Sequence, residues 1–134
     1  MGKRILIIEP SRTIRLLLDI TLRNAGHHVA AFDEAPAALN FLLQVRKNAP
    51  EIAFIAVHLP DGESYKIIET LMRHYPHLLM VSILRADDGS AQQERILSLG
   101  ATVLIRPFTV QDILTCTIST TVRVEKWSAI YEHA

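Results

Sequence analysis

The chain has 134 residues, 49% of them hydrophobic, and its 14 basic side chains balance its 14 acidic ones. This length fits one domain with a core of its own. A balanced charge gives no global field toward nucleic acid or an anionic membrane, no apolar run approaches the ~20 residues that cross a bilayer, and the single Cys116 excludes an internal disulfide. We therefore expect a cytoplasmic protein with no direct nucleic-acid or membrane partner.

Apolar segments recur along the chain, with amphipathic segments between them. The predicted strands are residues 4–8, 28–32, 52–57, 78–83 and 102–105. Continuous apolar strands indicate burial on both faces, and strand–helix alternation predicts right-handed crossovers onto a parallel sheet. The predicted fold class is therefore α/β, a three-layer α/β/α sandwich with five parallel strands in the flavodoxin-like order 2-1-3-4-5. The least apolar early strand, 28–32, is expected at an edge.

Helices are predicted in every gap between strands. The first helix is predicted to start after Ser11, the second to cover about 36–46 and the third about 64–74. The fourth is predicted to begin at Ser90 and end at Gly100, and the fifth to begin at Thr109. Ser90 and Thr109 are each followed three residues later by a side chain that can complete a capping box. The loop before Ser90, Asp87-Asp88-Gly89, is interpreted as a mobile turn.

Ligands of open parallel sheets bind beyond the carboxyl ends of the strands, where the strand order reverses. The residues expected to meet there are those that end strands one, three, four and five: Glu9, Pro10, Ala56, His58, Ser82, Arg106 and Pro107. Ala56 ends a buried strand without a group that can accept a phosphoryl group. His58 is the best spare nucleophile or ligand among them.

Three segments resemble response-regulator receiver domains in the same order along the chain. They are the opening strand with Glu9, the loop Leu59-Pro60-Asp61-Gly62, and the ending Gly100-Ala101 followed by Arg106-Pro107-Phe108. The resemblance covers residues 3 to about 122. It implies an Mg²⁺ held by acidic side chains, an aspartyl-phosphate acceptor, a hydroxyl that senses the phosphate, a lysine that pairs with it, and a cis peptide bond before the following proline.

This sequence departs from that pattern at most of the chemical positions. Glu9 keeps the first acidic position and Ser82 the hydroxyl position. The other positions hold Pro10 for the second metal ligand, Ala56 for the acceptor, Val103 for the aromatic switch residue and Arg106 for the lysine. Mg²⁺ is held in proteins by one or two carboxylates plus waters, and phosphoryl transfer requires both the ion and a nucleophile. We therefore expect no Mg²⁺, no other cofactor and no enzymatic activity. Arg106 is expected to reach back toward Glu9.

The predicted function is signal transduction by a receiver-like domain that is not phosphorylated on aspartate and acts through protein contacts. Expected partners are a sensor kinase, an output domain or another regulator, and a homodimer is left open. One alternative is a phosphorelay receiver with a displaced acceptor, Asp61 or His58. Another is a small-anion binder at the emptied site between Ala56, Ser82 and Arg106.

The division into domains is predicted at residue 122, with a receiver-like domain at 1–122 and a helical extension or linker at 123–134. Val124, Trp127 and Tyr131 continue a helical stripe past the last predicted helix. Buried aromatic side chains often dominate interface energies. The predicted interaction surface therefore comprises the fourth helix, fifth strand and fifth helix, with Arg95, Val103, Arg123, Trp127 and Tyr131.

Overall fold

The computed structural model describes residues 2–118 of the chain. Along this part of the chain the elements are, in order, β1 (Arg4–Ile8), α1 (Arg12–Asn24), β2 (His28–Phe32), α2 (Ala35–Val45), β3 (Ile52–Ala56), β4 (His58–Leu59), β5 (Gly62–Glu63), α3 (Tyr65–His74), β6 (Leu79–Leu84), α4 (Ser90–Ser98), β7 (Thr102–Ile105) and α5 (Val110–Cys116). No helix within residues 2–118 is long and apolar enough to cross a membrane.

Five of the strands form one parallel sheet in the order β2-β1-β3-β6-β7. Counted along the chain, this is the predicted order 2-1-3-4-5, so the predicted α/β fold and the edge position of β2 are confirmed. The strands β1, β2 and β7 have the predicted bounds. Strand β3 ends at Ala56, one residue before the predicted end, and β6 is shifted by one residue.

Helices cover both faces of this sheet and create two apolar layers. On one face, Ile8, Ile55 and Leu84 pack with side chains of α2, α3 and α4 such as Ile68 and Ile96. On the other face the sheet packs on α1 and α5, through residues that include Ile7, Phe54, Ile83, Leu18, Leu22 and Ile113. Each such side chain contributes roughly 1.5–3 kcal/mol when it is fully buried, and the two layers fix where the strand ends lie.

The helix starts show which predicted caps form. Thr109 and Asp112 make the predicted capping box of α5, with each side chain accepting a hydrogen bond from the other residue's backbone N–H. The predicted capping box at Ser90 is wrong. Gly89 is the N-cap of α4 and no side chain caps that helix, because Ser90 already lies inside the first turn.

A short antiparallel hairpin, which the sequence pattern did not predict, follows β3. His58 pairs with Glu63 and Leu59 with Gly62. Gly62 has a φ of +124°, a conformation that favours glycine. Below the hairpin, the buried hydroxyl of Ser64 donates to the carbonyl of Ala56 at 2.7 Å, which fixes the hairpin beside the end of β3.

Candidate functional site

A cavity of about 90 Å³ lies at the carboxyl ends of the parallel strands. Its lining residues come from the ends of β1, β3, β6 and β7 and from the start of α1: Glu9, Pro10, Ser11, Ala56, His58, Ile83, Arg85 and Arg106. The fold thus brings together Glu9, Pro10, Ala56, His58 and Arg106, as the sequence predicted. Pro107 lies just outside, exposed on a wider groove that is lined in addition by Arg85 and Arg106.

Glu9 is the buried acidic group of this cavity, and only 2% of the residue is exposed. Its Oε2 accepts a hydrogen bond from the Ser11 backbone N–H at 2.8 Å, whereas its buried Oε1 has no hydrogen-bond partner in the described part of the chain. Burial raises the pKa of Glu9, and the Ser11 N–H and the positive charges of Arg106, Arg15 and Arg85 offset this only in part. A carboxylate at this position is therefore poorly compensated.

The expected approach of Arg106 to Glu9 is wrong as a direct contact. Arg106 is half-buried and lines the same cavity, but among the described residues it makes no ion pair with Glu9. The guanidinium that does touch this segment belongs to Arg15, whose Nη1 donates to the backbone carbonyls of Glu9 and Pro10 at 2.8 and 3.3 Å. The predicted cis peptide bond between Arg106 and Pro107 is confirmed.

Ser82 does not belong to the cavity, which corrects the prediction that it occupies the hydroxyl position there. Strand β6 continues through Ile83 and Leu84, so Ser82 lies inside the strand, paired with Ile55 and Val103. Side chains alternate between the two faces of a strand. Ile83 lines the cavity, and the fully buried Ser82 hydroxyl has no hydrogen-bond partner in the described part of the chain.

The loop after β6 holds a polar contact that the sequence did not predict. His58 Nε2 lies 2.8 and 3.0 Å from the two carboxylate oxygens of Asp88, and Asp88 also accepts the Arg85 backbone N–H at 2.8 Å. Burial would raise the pKa of Asp88, but the Arg85 N–H and His58 outweigh it, so this pKa is lowered. The turn that was interpreted as mobile is thus tied to the mouth of the cavity. A histidine and an aspartate 30 residues apart give no periodic signal that could have revealed the pair.

Arg85 also lines the cavity, although the sequence analysis did not predict it there. It directly follows β6, and the prediction that the fourth strand ends at residue 83 left it in a loop. Asp61 and Glu63, by contrast, are exposed on the β4–β5 hairpin and do not line the cavity. Of the two suggested displaced acceptors, only His58 lies at the cavity, and its Nε2 is engaged by Asp88.

Comparison with known proteins gives bacterial regulatory proteins among the relatives in sequence. The virulence transcriptional regulatory protein PhoP of Salmonella typhimurium is 29% identical over 112 residues, which are 83% of this chain and 48% of PhoP. The response regulator protein FleR of Pseudomonas aeruginosa is 28% identical over 116 residues, which are 85% of this chain and 24% of FleR. The chain thus spans about half the length of PhoP and about a quarter of FleR. No protein-family model matches it.

Solved structures give the same fold. A CheY-like response regulator receiver domain protein from Methanospirillum hungatei superposes with a TM-score of 0.78 at 20% identity, covering 94% of this chain and 98% of that one. The chemotaxis response regulator CheY4 of Vibrio cholerae superposes with a TM-score of 0.75 at 18% identity, covering 90% and 99%. The chain thus has the fold of response-regulator receiver domains and is similar in sequence to response regulators.

The fold family of this receiver-like domain implies Mg²⁺, but the donors at its cavity do not fit that ion. Glu9 is the carboxylate that lines the cavity. Asp88 does not line it and contacts His58, which does. The guanidiniums of Arg85 and Arg106 line the same space. In residues 2–118 no three histidine, cysteine or acidic side chains form a group that could hold a metal ion. Mg²⁺ prefers near-octahedral oxygen ligands, and two cations facing one carboxylate oppose it.

The predicted interaction surface of the receiver-like domain is described only in part. Arg95 is exposed on α4, with its guanidinium carbon 3.8 Å from the centre of the Tyr65 ring. Val103 is half-buried in β7 and packs against the core. Three apolar side chains of the same surface are exposed, namely Leu97 of α4, Ile105 of β7 and Val110 of α5. Arg123, Trp127, Tyr131 and the predicted boundary at residue 122 lie outside the described residues.

Proposed function

We propose that this receiver-like domain transmits a signal without aspartyl phosphorylation and without Mg²⁺, through contacts with other proteins. The single observation that carries the proposal is Ala56. It lies at the end of β3, lines the cavity where the strand ends meet, and carries a methyl group that cannot accept a phosphoryl group. On this proposal the domain is not an enzyme, and its surface carries the function.

The charges around Ala56 support the same proposal. Phosphoryl transfer depends on in-line positioning and on cations that neutralise the developing charge. Pro10 offers no side-chain oxygen to an ion, and Arg85 and Arg106 supply fixed positive charge at the cavity. The cavity therefore lacks both the nucleophile at position 56 and the metal ligand at position 10 that phosphoryl transfer would require.

The test is incubation of the full chain with acetyl phosphate and Mg²⁺, followed by intact-mass measurement, with a phosphorylatable receiver domain treated in parallel. We expect the mass of this chain to stay unchanged while the parallel sample gains a phosphoryl group. Stoichiometric labelling mapped by peptide mass to Asp61 or His58 would refute the proposal in favour of a displaced acceptor. Labelling of any other aspartate would refute it as well.

The proposed partners are a sensor kinase, an output domain or another regulator. A second copy of the chain is a further possible partner, and self-association of the purified chain tests it directly. The exposed apolar side chains Leu97, Ile105 and Val110 lie on α4, β7 and α5, which form the proposed contact face. Concentration-dependent light scattering should show self-association that Leu97→Glu reduces. Leu43→Glu, at an exposed leucine of α2, is the matched control and should leave it unchanged. Equal effects of both variants would contradict the assignment of this face.

A further inference from the structure

Two arginine side chains stand next to each other at the opening of the cavity. Leu84, the last residue of β6, is in register with Ile105, the last residue of β7, and the Arg106 N–H donates to the Leu84 carbonyl at 2.9 Å. The parallel register therefore places Arg85 and Arg106, the next residue on each chain segment, side by side. Both line the inner cavity of about 90 Å³ and the open outer groove of about 390 Å³.

Neither guanidinium forms a hydrogen bond or an ion pair within the part of the chain that the structure describes. Arg85 and Arg106 donate backbone N–H groups to Asp88 and to Leu84, but their side chains make no hydrogen bond or ion pair with residues 2–118. Asp88, whose carboxylate accepts the Arg85 backbone N–H, is already engaged by His58. Two cations thus share one opening without forming an ion pair among the described residues, and like charges side by side repel unless an anion or solvent occupies the space.

Glu9 lies in the same cavity and defines what can bind there. Its Oε1 is buried and unpartnered in the described chain, yet it does not approach either arginine closely enough to pair. Arg15 is engaged with the backbone carbonyls of Glu9 and Pro10, so its guanidinium is already held. A bound cation would be repelled by the arginines, whereas a bound anion would be attracted by them and opposed by an ionised Glu9.

We propose that Arg85 and Arg106 bind a small tetrahedral oxyanion, an inorganic phosphate or the phosphate group of a small monoester, at the mouth of the cavity. Guanidinium groups match oxyanions because they present planar pairs of N–H donors. The inner cavity accommodates the oxyanion, and the outer groove, lined also by Ile14, Ala86 and Pro107, leaves room for an organic substituent. This inference goes beyond the proposed function and does not depend on it.

The experiment is an NMR titration of the full ¹⁵N-labelled chain in chloride buffer at constant ionic strength. Sulfate serves as the fixed-charge tetrahedral probe, and inorganic phosphate and glycerol 3-phosphate distinguish the free ion from a monoester. We expect saturable shifts of the Ser11, Arg85 and Arg106 amides with all three probes. Tighter binding of glycerol 3-phosphate than of phosphate assigns the site to a monoester, and the reverse assigns it to the free ion. Shifts that rise linearly, without saturation, would overturn the proposal.

Variants identify the groups that bind the probe. Arg85→Ala and Arg106→Ala should each weaken sulfate binding about tenfold or more, because each removes charge-assisted hydrogen bonds. Arg73→Ala, at an exposed arginine of α3 that pairs with Glu69, is the matched control and should change nothing. Arg85 is exposed, so its variant tests the site even if Arg106→Ala fails to fold. Equal loss in Arg73→Ala, or no loss in Arg85→Ala, would overturn the site.

Glu9→Gln separates an anion site from a cation site. Removing the negative charge should tighten sulfate binding several-fold, whereas any ion held by the Glu9 carboxylate would bind more weakly. Weaker sulfate binding by Glu9→Gln would contradict the proposal. Failure here is distinguishable from failure of the proposed function, because covalent labelling by acetyl phosphate would refute that function while leaving sulfate binding intact.

Discussion

Glu9→Gln should stabilise the folded protein at neutral pH. The carboxylate is buried, one oxygen accepts the Ser11 N–H, and the other has no hydrogen-bond partner in the described chain. An unsatisfied buried polar group costs about 1–3 kcal/mol, and more when it is charged. The variant keeps an oxygen for the Ser11 N–H and removes the charge, but it also loses the attraction of Arg106, Arg15 and Arg85. We therefore expect a net gain of about 1 kcal/mol in the free energy of unfolding.

The pH dependence gives this prediction its sign. The pKa of Glu9 is raised in the folded state above its ordinary value of 4.5, so the folded protein holds this proton more tightly than the unfolded chain does. Its contribution to stability is complete below pH 4.5 and is lost as the pH rises through the folded pKa. Wild type and Glu9→Gln should therefore be similar in stability at acidic pH. The variant should gain its advantage as the pH rises.

Urea unfolding at a series of pH values, in chloride buffer free of oxyanions, measures the difference. For a domain of this size, 1 kcal/mol corresponds to about 3–4 °C in Tm, which thermal unfolding can confirm. Glu94→Gln, at an exposed glutamate of α4, is the matched control and should show no pH-dependent gain. A Glu9→Gln protein that is less stable than wild type at pH 7, or a difference independent of pH, would show that the arginines compensate the buried carboxylate.

Two further substitutions test other polar groups of the sheet's carboxyl end. Asp88→Asn should cost roughly 1 kcal/mol in urea unfolding at neutral pH through its contacts with His58 and the Arg85 N–H. Because the pKa of Asp88 is lowered, this contribution is present above its ordinary value of 3.8 and is lost as the pH falls through the lower folded pKa; a pH-independent cost would refute the charge argument. Ser82→Ala should leave the stability unchanged or raise it by up to about 1 kcal/mol, because the hydroxyl is buried without a partner in the described chain. Ser64→Ala removes a buried hydrogen bond of 2.7 Å and should lower the stability by about 1 kcal/mol. Equal losses from both serine variants would show that the Ser82 hydroxyl is paired in solution.

The sheet was predictable because its strands are apolar on both faces and are bounded by polar or turn residues. The bounds of β1, β2 and β7 follow from such flanks, and the strand order follows from the pattern of crossovers. The positions of Glu9 and Ala56 at the cavity follow in turn, because carboxyl ends of parallel strands meet at one edge of the sheet. This much of the candidate site is a consequence of topology.

Side-chain direction was less predictable, and Ser82 shows why. The apolar run around it extends through Leu84, so the end of the strand could be placed at either of two residues. A shift of one residue moves a side chain to the opposite face of the sheet. The hydroxyl therefore lies in the apolar layer with α3 and α4 rather than in the cavity, and Ile83 takes the place assigned to it.

Loop contacts were the least predictable part of the site. The His58–Asp88 pair joins a two-residue strand to a turn, and neither segment has a periodicity that predicts its conformation. Arg85 and Arg106 have long side chains whose direction depends on which counterions reach them. Their position beside each other became evident only from the register of Leu84 with Ile105.

Ala56→Asp alone should not restore aspartyl phosphorylation. The substitution adds a nucleophile at the end of β3, but Pro10 still supplies no second carboxylate, and Arg85 and Arg106 line the space an ion would enter. The new carboxylate would be neutralised by these arginines, and Glu9, buried and with a raised pKa, would be a poor ligand for a metal ion beside them.

The measurement is intact mass after incubation with acetyl phosphate, with and without Mg²⁺, for Ala56→Asp and for the double variant with Pro10→Asp. The control is Asp61→Asn in the Ala56→Asp background, which shows whether any label is on the exposed hairpin rather than on residue 56. Ala53→Asp would be a poor control, because Ala53 is fully buried within β3. We expect little labelling of Ala56→Asp and a Mg²⁺-dependent increase in the double variant, since a second carboxylate offsets the arginines. Efficient Mg²⁺-dependent phosphorylation of Ala56→Asp alone would show that Pro10 and the two arginines do not disable the site, and that the missing nucleophile is the sole defect.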